Sequence, residues 1–134
     1  MESRIINLKT NADCRGCLTA IEGAQDIPFE IKRIFYMHHI TSDRGGHAHI
    51  DTDQVLIPMH GSLRVKLFNG KETAEYFMDD CTKGLYIPRL CFTDMSEFTT
   101  ETVCLVLSST HYDMGRSLRS MDAYMNYLKE NQLL

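Results

Sequence analysis

Arg44-Gly45-Gly46-His47-Ala48-His49 is the stretch of sequence that decides the fold. Its two histidines occupy alternate positions, and alternate side chains of an extended strand point to the same face of a sheet. Gln54 follows after four intervening residues and Gly61 after six more. Two imidazoles on one strand face, with a polar residue and a turn glycine at these distances, predict a histidine site on a β-sheet scaffold.

Short apolar segments bounded by turn residues surround this stretch. They predict strands over 4–8, 18–22, 31–40, 46–49, 54–59, 62–68, 72–77, 84–88, 91–98 and 102–109. Asn69-Gly70 predicts a two-residue hairpin turn, because both central positions of such a turn need positive φ. From Ser117 onward, Leu118, Met121, Tyr124 or Met125, and Leu128 recur at helical spacing, which predicts one helix of about 12 residues capped by Ser117. Many short strands without interleaved helices predict an all-β sandwich or barrel.

Composition limits the classes of function. The 134 residues carry a net charge of −4 and are 43% hydrophobic, which predicts one globular domain over 1–134 without a general affinity for nucleic acid or anionic membrane. No apolar run approaches the roughly 20 residues that span a bilayer, and the N-terminus lacks the pattern of a signal peptide. The five cysteines, at 14, 17, 81, 91 and 104, are expected to be reduced thiols of a cytoplasmic protein. The Cys14–Cys17 spacing is read as two incidental loop thiols.

The spacing of His47, His49, Gln54 and Gly61 is that of the first cupin motif, which predicts a jelly-roll barrel (a double-stranded β-helix). A cupin metal site takes two histidines and an acid from this motif and a third histidine from a second one. Here the acid position holds Gln54, and the second motif, which begins at Pro88, has Thr93 in place of the histidine. Threonine without an activating charge is a poor ligand for zinc or iron. We therefore predict no metal, and acid–base use of the two histidines, whose ordinary pKa lies near working pH.

Most of the chain resembles the dTDP-4-keto-6-deoxyglucose 3,4-ketoisomerases, small cupins of bacterial deoxysugar biosynthesis. The resemblance rests on Arg15-Gly16-x-Leu18, Ile21-Glu22, Ile27-Pro28-Phe29-x-Ile31-Lys32-Arg33-Ile34-Phe35-Tyr36, Arg44-Gly45-Gly46-His47-Ala48-His49, Gln54-Val55-Leu56, Gly61-Ser62, Gly84-Leu85-Tyr86-Ile87-Pro88, and Val106-Leu107-x-Ser109-x-x-Tyr112-Asp113. It implies a cofactor-free isomerase that moves the carbonyl of a dTDP-linked 4-keto-6-deoxyhexose from C-4 to C-3 through an enediol. It also implies a homodimer with exchanged strands; the apolar strand Ile5-Ile6-x-Leu8 could join its own sheet or that of a partner.

Three side chains are assigned to the chemistry. Removing a proton next to a ketone needs a positioned base and a donor for the developing enolate oxygen. We expect His49 to take the C-3 proton, and His47, hydrogen-bonded with Tyr36, to move protons between the two oxygens. The roles of the two histidines are interchangeable at this stage.

Six side chains are assigned to the substrate. Arg33 and Arg15, followed by Arg44, are candidates for the diphosphate, because guanidinium groups match phosphate oxygens in pairs. Gln54 and Thr93 are expected at the sugar. Phe92 is either an aromatic wall of the sugar pocket or a core aromatic.

The chain departs from the family at two places. The family usually has tryptophan, then histidine or arginine, then glutamate at Phe92-Thr93-Asp94, and a different continuation of Tyr112-Asp113 through Arg119. Arg15, which stands where other members have tyrosine, favours the galacto product. Three alternatives stay open: a cupin sugar-nucleotide epimerase, a non-catalytic sugar-nucleotide-binding cupin and a metal-dependent cupin oxygenase.

Overall fold

The computed structural model describes residues 2–134, which form twelve strands and one α-helix. The strands are β1 Arg4–Asn7, β2 Lys9–Asp13, β3 Gly16–Ala20, β4 Arg33–Met37, β5 Arg44–His49, β6 Gln54–His60, β7 Leu63–Phe68, β8 Thr73–Met78, β9 Lys83–Ile87, β10 Phe92–Ser96, β11 Val103–Ser108 and β12 Ser117–Leu118, and the helix is α1 Met121–Glu130.

Two five-stranded antiparallel sheets face each other. One has the order β1-β9-β6-β11-β4 and the other β12-β5-β10-β7-β8, while β2 and β3 form a separate hairpin. This is the predicted all-β cupin with one C-terminal helix. The strand β1 joins its own sheet, because Arg4 pairs with Tyr86 of β9.

Alternation along the strands builds the core between the sheets. Leu63, Val65 and Leu67 of β7 are fully buried, whereas Lys66, between the last two, is exposed. They pack in one cluster with Leu56 of β6 and Val106 of β11. Neighbouring strands present their alternate residues to the same interior, so that this core lies beside the inner face of the site-bearing strand β5.

Each sheet has a second apolar layer on its outer face. Ile27 and Phe29, in the segment between β3 and β4, cover Val55, Ile57 and Leu107 of the first sheet. The helix covers the second sheet with Tyr124 and Leu128, which pack against Ala48 and Phe92. The Tyr124 hydroxyl donates hydrogen bonds to the carbonyls of Leu90 and Phe68, at 2.7 and 3.1 Å, and so anchors the helix.

Several predicted boundaries are wrong. Asn69 and Gly70 are not the two central residues of the hairpin turn, because the Asn69 N–H donates to the Glu72 carbonyl at 3.1 Å and Gly70, but not Asn69, has positive φ. The Asn69 side chain also accepts hydrogen bonds from the backbone of Lys71 and Glu72. The predicted helix start at Ser117 is also wrong, since Ser120 is the N-cap and residues 117–118 form an edge strand. The strand β2 was not predicted, and only Arg33–Met37 of the predicted 31–40 strand is extended in a sheet. Among residues 2–134, no helix is long and apolar enough to span a bilayer.

Candidate active site

Two glycines set the direction in which β5 presents its histidines. Gly45 and Gly46 have φ of +99° and +73°, a region that side chains rarely adopt. A Cβ at Gly45 would lie 2.5 Å from the Thr93 carbonyl oxygen. The pairing register between β5 and β10 shifts at Thr93/Asp94, as in a β-bulge. The glycines therefore allow a close strand approach immediately before His47.

His47 and His49 lie side by side on one face of β5. Their ring centroids are 4.9 Å apart and the rings are nearly perpendicular, at 80°. Ala48, between them, points the other way and is 1% exposed in the layer under the helix. The predicted common orientation of the two imidazoles is therefore present.

Two adjoining cavities meet at this pair. An inner cavity of about 90 Å³ lies between the sheets and is lined by His47, Thr93 and apolar side chains that include Leu56 and Val106. An outer cavity of about 290 Å³ is lined by His49 and polar side chains. Gln54 lines both cavities. The arrangement suits a ligand with a small reacting portion near the histidines and a larger polar portion outside.

The positions that a cupin would use for metal ligands carry neutral side chains here. Thr93 lies opposite His47 in the sheet, is buried, and donates its hydroxyl proton to the Cys91 carbonyl at 3.1 Å. The Gln54 amide nitrogen donates to the Ser108 hydroxyl at 3.4 Å. A neutral amide and an engaged hydroxyl add little to two imidazoles as metal ligands.

Arg33 contributes a cation to the outer cavity. Its guanidinium lies 4.7 Å from the ring centroid of Phe35 and 4.8 Å from that of Tyr112. Aromatic contacts on a guanidinium fix its orientation and leave its N–H groups free to bind an anion. Arg44 lines the inner cavity instead, where its Nε donates to the Met37 sulfur at 3.1 Å.

Burial lowers the pKa of both histidines. The pKa of His49 falls to about 4, first through desolvation and then through the positive charges of His47, Arg119 and Arg33. The pKa of His47 is also lowered, mainly by desolvation, although the Gly45 backbone and Asp94 oppose this. Both rings are therefore neutral at pH 7 and able to accept a proton.

The structure does not bring Tyr36 to His47. Along β4, Arg33, Phe35 and Met37 point inward, whereas Ile34 and Tyr36 point outward. Tyr36 is 63% exposed and its ring lies beside that of His38, 5.6 Å between centroids. The expected hydrogen bond between Tyr36 and His47 is therefore not formed within one protomer.

Two further predicted site residues lie away from the cavities. Phe92 packs against Tyr124 under the helix, at 5.4 Å between ring centroids, because it precedes the inward-facing Thr93 by one position. It is thus a core aromatic and not a wall of either cavity at the histidines. Arg15 lies at the tip of the β2–β3 hairpin, paired with Asp13 at 2.6 Å, and its side chain is 86% exposed.

Sequence reasoning missed the contribution of the segment after β11. Ser117 and Arg116 line the outer cavity, as do His111 and Tyr112, and Arg119 adds positive charge near both histidines. The signal that could have found this segment was its departure from the family pattern after Tyr112-Asp113.

Comparisons with known proteins identify the family of the chain. The family model described as "FdtA: WxcM-like, C-terminal" matches residues 1–129. A TDP-4-oxo-6-deoxy-alpha-D-glucose-3,4-oxoisomerase of Aneurinibacillus thermoaerophilus is 37% identical over 135 residues, which cover 99% of this chain and 97% of the relative.

Solved structures match as well. A 3,4-ketoisomerase from Helicobacter canadensis superposes with a TM-score of 0.92 at 34% identity, covering 96% of this chain and 98% of the other. QdtA, a sugar 3,4-ketoisomerase from Thermoanaerobacterium thermosaccharolyticum solved in complex with TDP, gives a TM-score of 0.90 at 38% identity and 96% coverage of each chain. The chain therefore belongs to the FdtA (WxcM-like) family of sugar 3,4-ketoisomerases.

Proposed function

We propose that the protein converts TDP-4-keto-6-deoxyglucose to a TDP-3-keto-6-deoxyhexose by metal-independent acid–base transfer. The observation that carries the proposal is the pair of neutral side chains His47 and His49, whose ring centroids are 4.9 Å apart where an inner and an outer cavity meet. The relatives that match along the whole chain are named for 3,4-isomerisation of TDP-sugars.

The chemistry moves two protons, one from C-3 to C-4 and one from the C-3 oxygen to the C-4 oxygen, with no net oxidation. His49 takes the proton from C-3, and the electron pair moves toward the C-4 carbonyl, whose oxygen becomes a hydroxyl of the enediol. The C-3 hydroxyl proton passes through His47 to the C-4 oxygen, and C-4 takes a proton from the His49 imidazolium, which exchanges its proton with solvent, so that C-3 becomes the ketone. His47, whose ring lies next to His49, carries protons between the two oxygens.

Metal independence is supported by donor chemistry. Among residues 2–134, no three histidine, cysteine, aspartate or glutamate side chains are grouped so that they could hold an ion. Gln54 and Thr93 stand where the stronger ligands of a cupin would be, and both already hydrogen-bond within the protein. A metal-dependent oxygenase is therefore disfavoured.

Anion binding is assigned to Arg33 at the outer cavity and, second, to Arg44 at the inner cavity. Arg33, held between two aromatic rings, is the first candidate for the diphosphate, and Arg44 is the second. Gln54 and Thr93 would contact the sugar at the junction of the two cavities.

We also propose a homodimer in which the β2–β3 hairpin pairs with a partner's sheet. Among the described residues, the hairpin pairs with no other strand, and β4 is an edge strand whose outer side chains Ile34 and Tyr36 are exposed. Leu18, on the hairpin, is exposed as well. Edge strands with exposed apolar residues are sites of strand addition.

Such an exchange would carry Arg15, at the hairpin tip, toward the partner's site. This is the route by which Arg15 would reach the sugar and favour a galacto product. A cytoplasmic location stays a prediction from the sequence.

The decisive experiment is incubation with TDP-4-keto-6-deoxyglucose in deuterated water, followed by NMR. We expect the carbonyl at C-3, deuterium at C-4 and galacto stereochemistry, with the activity unchanged by a chelator. His47→Asn and His49→Asn should each remove most of the activity, while His60→Asn, at an exposed histidine outside both cavities, should not.

Each alternative has its own outcome in that experiment. Deuterium next to an unmoved carbonyl would identify an epimerase, and binding without exchange would identify a non-catalytic module. Activity lost with chelator and restored by a metal would refute the metal-free mechanism. The dimer is tested by light scattering at micromolar concentration, where a monomer would refute it and Ile34→Glu should weaken it.

A further inference from the structure

Ser117 reaches the candidate base from a strand that sequence reasoning did not predict. The two-residue strand β12 pairs with β5 so that Ser117 stands opposite His49. Its hydroxyl oxygen lies 3.4 Å from His49 Nδ1, and its half-buried side chain lines the outer cavity. Catalytic hydrogen bonds are often this long before substrate binds.

The neighbours of Ser117 fix its position on both sides. Arg116 makes a two-pronged ion pair with Asp51, with nitrogen–oxygen distances of 2.6 and 3.1 Å, and its carbonyl accepts from the Ile50 N–H at 2.9 Å. Leu118, on the other side, packs into the layer under the helix. Alternation along β12 then directs Ser117 to the face of β5 that carries His49.

We propose that Ser117 is a positioning residue that fixes the orientation and tautomer of His49. The proposal rests on the proposed isomerase function. When His49 Nδ1–H donates to the Ser117 hydroxyl oxygen, the proton is on Nδ1 and Nε2 is left bare as the base. When Nε2 has taken the C-3 proton, the same bond stabilises the imidazolium, because a hydrogen bond to a charged donor is stronger than one to a neutral donor.

The other groups around His49 do not supply such a bond. The charged and titratable neighbours are His47 on β5, Arg33 on β4, Arg119 after β12, and Asp51, His111, Tyr112, Asp113 and Arg116 at the outer cavity. Among the described residues, the His49 ring forms its hydrogen bond with Ser117. The charges that lower the pKa of His49, those of Arg119, Arg33 and a protonated His47, oppose its protonation, whereas an accepting hydroxyl on Nδ1–H favours it.

Thr and Val at position 117 form a matched pair, since they share a shape and differ in the hydroxyl. We expect Ser117→Thr to keep kcat within about twofold. Ser117→Val should lower kcat about tenfold with little change in KM, as for the loss of one hydrogen bond to a proton-transfer group. It should also move the acidic limb of the kcat/KM profile to lower pH, because the imidazolium loses its acceptor.

A second readout does not depend on turnover. ¹⁵N NMR of histidine-labelled protein at pH 7 should show His49 as the Nδ1–H tautomer in the wild type and in Ser117→Thr, and a shift toward Nε2–H in Ser117→Val. An unchanged tautomer in the valine variant would overturn the proposal, as would equal kcat values and pH profiles for the two variants. Absence of turnover in every protein including the wild type, with the expected tautomer change, would refute the isomerase function and not the role of Ser117.

Discussion

Stability should fall as the pH drops below that at which an ordinary histidine titrates, because His49 is partly buried in its neutral form. Desolvation and the nearby positive charges lower its pKa to about 4 in the native state. In the unfolded chain the pKa returns to about 6.5. Between these two values the unfolded state binds the proton and the native state does not, so acidification favours unfolding.

The magnitude follows from the two pKa values. The difference between about 6.5 and about 4 is worth about 3 kcal/mol at 1.36 kcal/mol per pKa unit. The full contribution to stability is present above pH 6.5 and is lost progressively as the pH falls toward 4. At pH 4.5 the loss due to His49 should be about 2.5 kcal/mol, a large part of the stability of a small domain.

Urea unfolding at pH 7.5 and pH 4.5 measures this contribution. We compare the wild type, His49→Asn and His60→Asn, where His60 is an exposed histidine at the end of β6. The wild type and His60→Asn should lose about 2 to 3 kcal/mol more than His49→Asn between the two pH values. His47, whose pKa is also lowered, contributes in the same direction in all three proteins.

An equal pH dependence in the wild type and His49→Asn would refute the reasoning. That result would mean that the imidazole is hydrated or paired in the native state, so that its pKa is close to the ordinary value. His49 would still be mostly neutral at pH 7 with an ordinary pKa, but desolvation would no longer be the reason that it is neutral.

Three further predictions test the architecture of the site. Gly45→Ala should lower the free energy of unfolding by about 2 kcal/mol or more in urea titrations, because a Cβ there would lie 2.5 Å from the Thr93 carbonyl oxygen at a φ of +99°; wild-type stability would contradict the bulge. Arg33→Lys should raise KM for the TDP-sugar about tenfold with a smaller effect on kcat, since lysine cannot keep the stacked, forked geometry between Phe35 and Tyr112; an unchanged KM would remove Arg33 from the anion site. The double substitution Gln54→Glu with Thr93→His should create zinc binding that calorimetry detects at micromolar concentration, where the wild type shows none. Equal heats of zinc binding for both proteins would contradict the interpretation of an altered metal pocket.

Period-two alternation is the part of the site that sequence could predict. Alternation places His47 and His49 on one face of β5 and Ala48 on the other. Ala48 is apolar and packs in the layer under the helix. The same rule, applied to Phe92 and Thr93, allows one of the two to face the cavity, and the apolar helix under the second sheet decides that it is Thr93. The sequence did not reveal which residues that helix covers, since its start was placed at Ser117.

The strand β12 shows why local signals failed at the C-terminus. Ser117 is an acceptable N-cap and Leu118 fits the helical spacing, so the pattern predicted a helix through both. Pairing of Ser117 with His49 and of Leu118 with Ala48 satisfies the free edge of β5 instead, and Ser120 caps the helix that follows. The unpaired backbone N–H and C=O groups of an edge strand gain hydrogen bonds when another strand pairs with them. This gain outweighs a small difference in helix propensity.

Tyr36 and Arg15 raise a different question, because both are placed by strand geometry and neither reaches the histidines of its own protomer. Tyr36 is turned outward by the same alternation that turns Arg33 inward, and Arg15 is carried to a hairpin tip by the pairing of β2 with β3. A residue whose use depends on a second subunit leaves no periodic signal that distinguishes it from a solvent-exposed residue.

If the hairpin pairs with a partner's β4, Tyr36 becomes an interface residue and Arg15 a ligand contact supplied by the other chain. Arg15→Ala should then lower activity without changing the dimer, whereas Tyr36→Glu should weaken the dimer and lower activity together, as measured by light scattering and turnover on the same samples. Full activity of a monomeric Tyr36→Glu protein would show that each protomer carries a complete site.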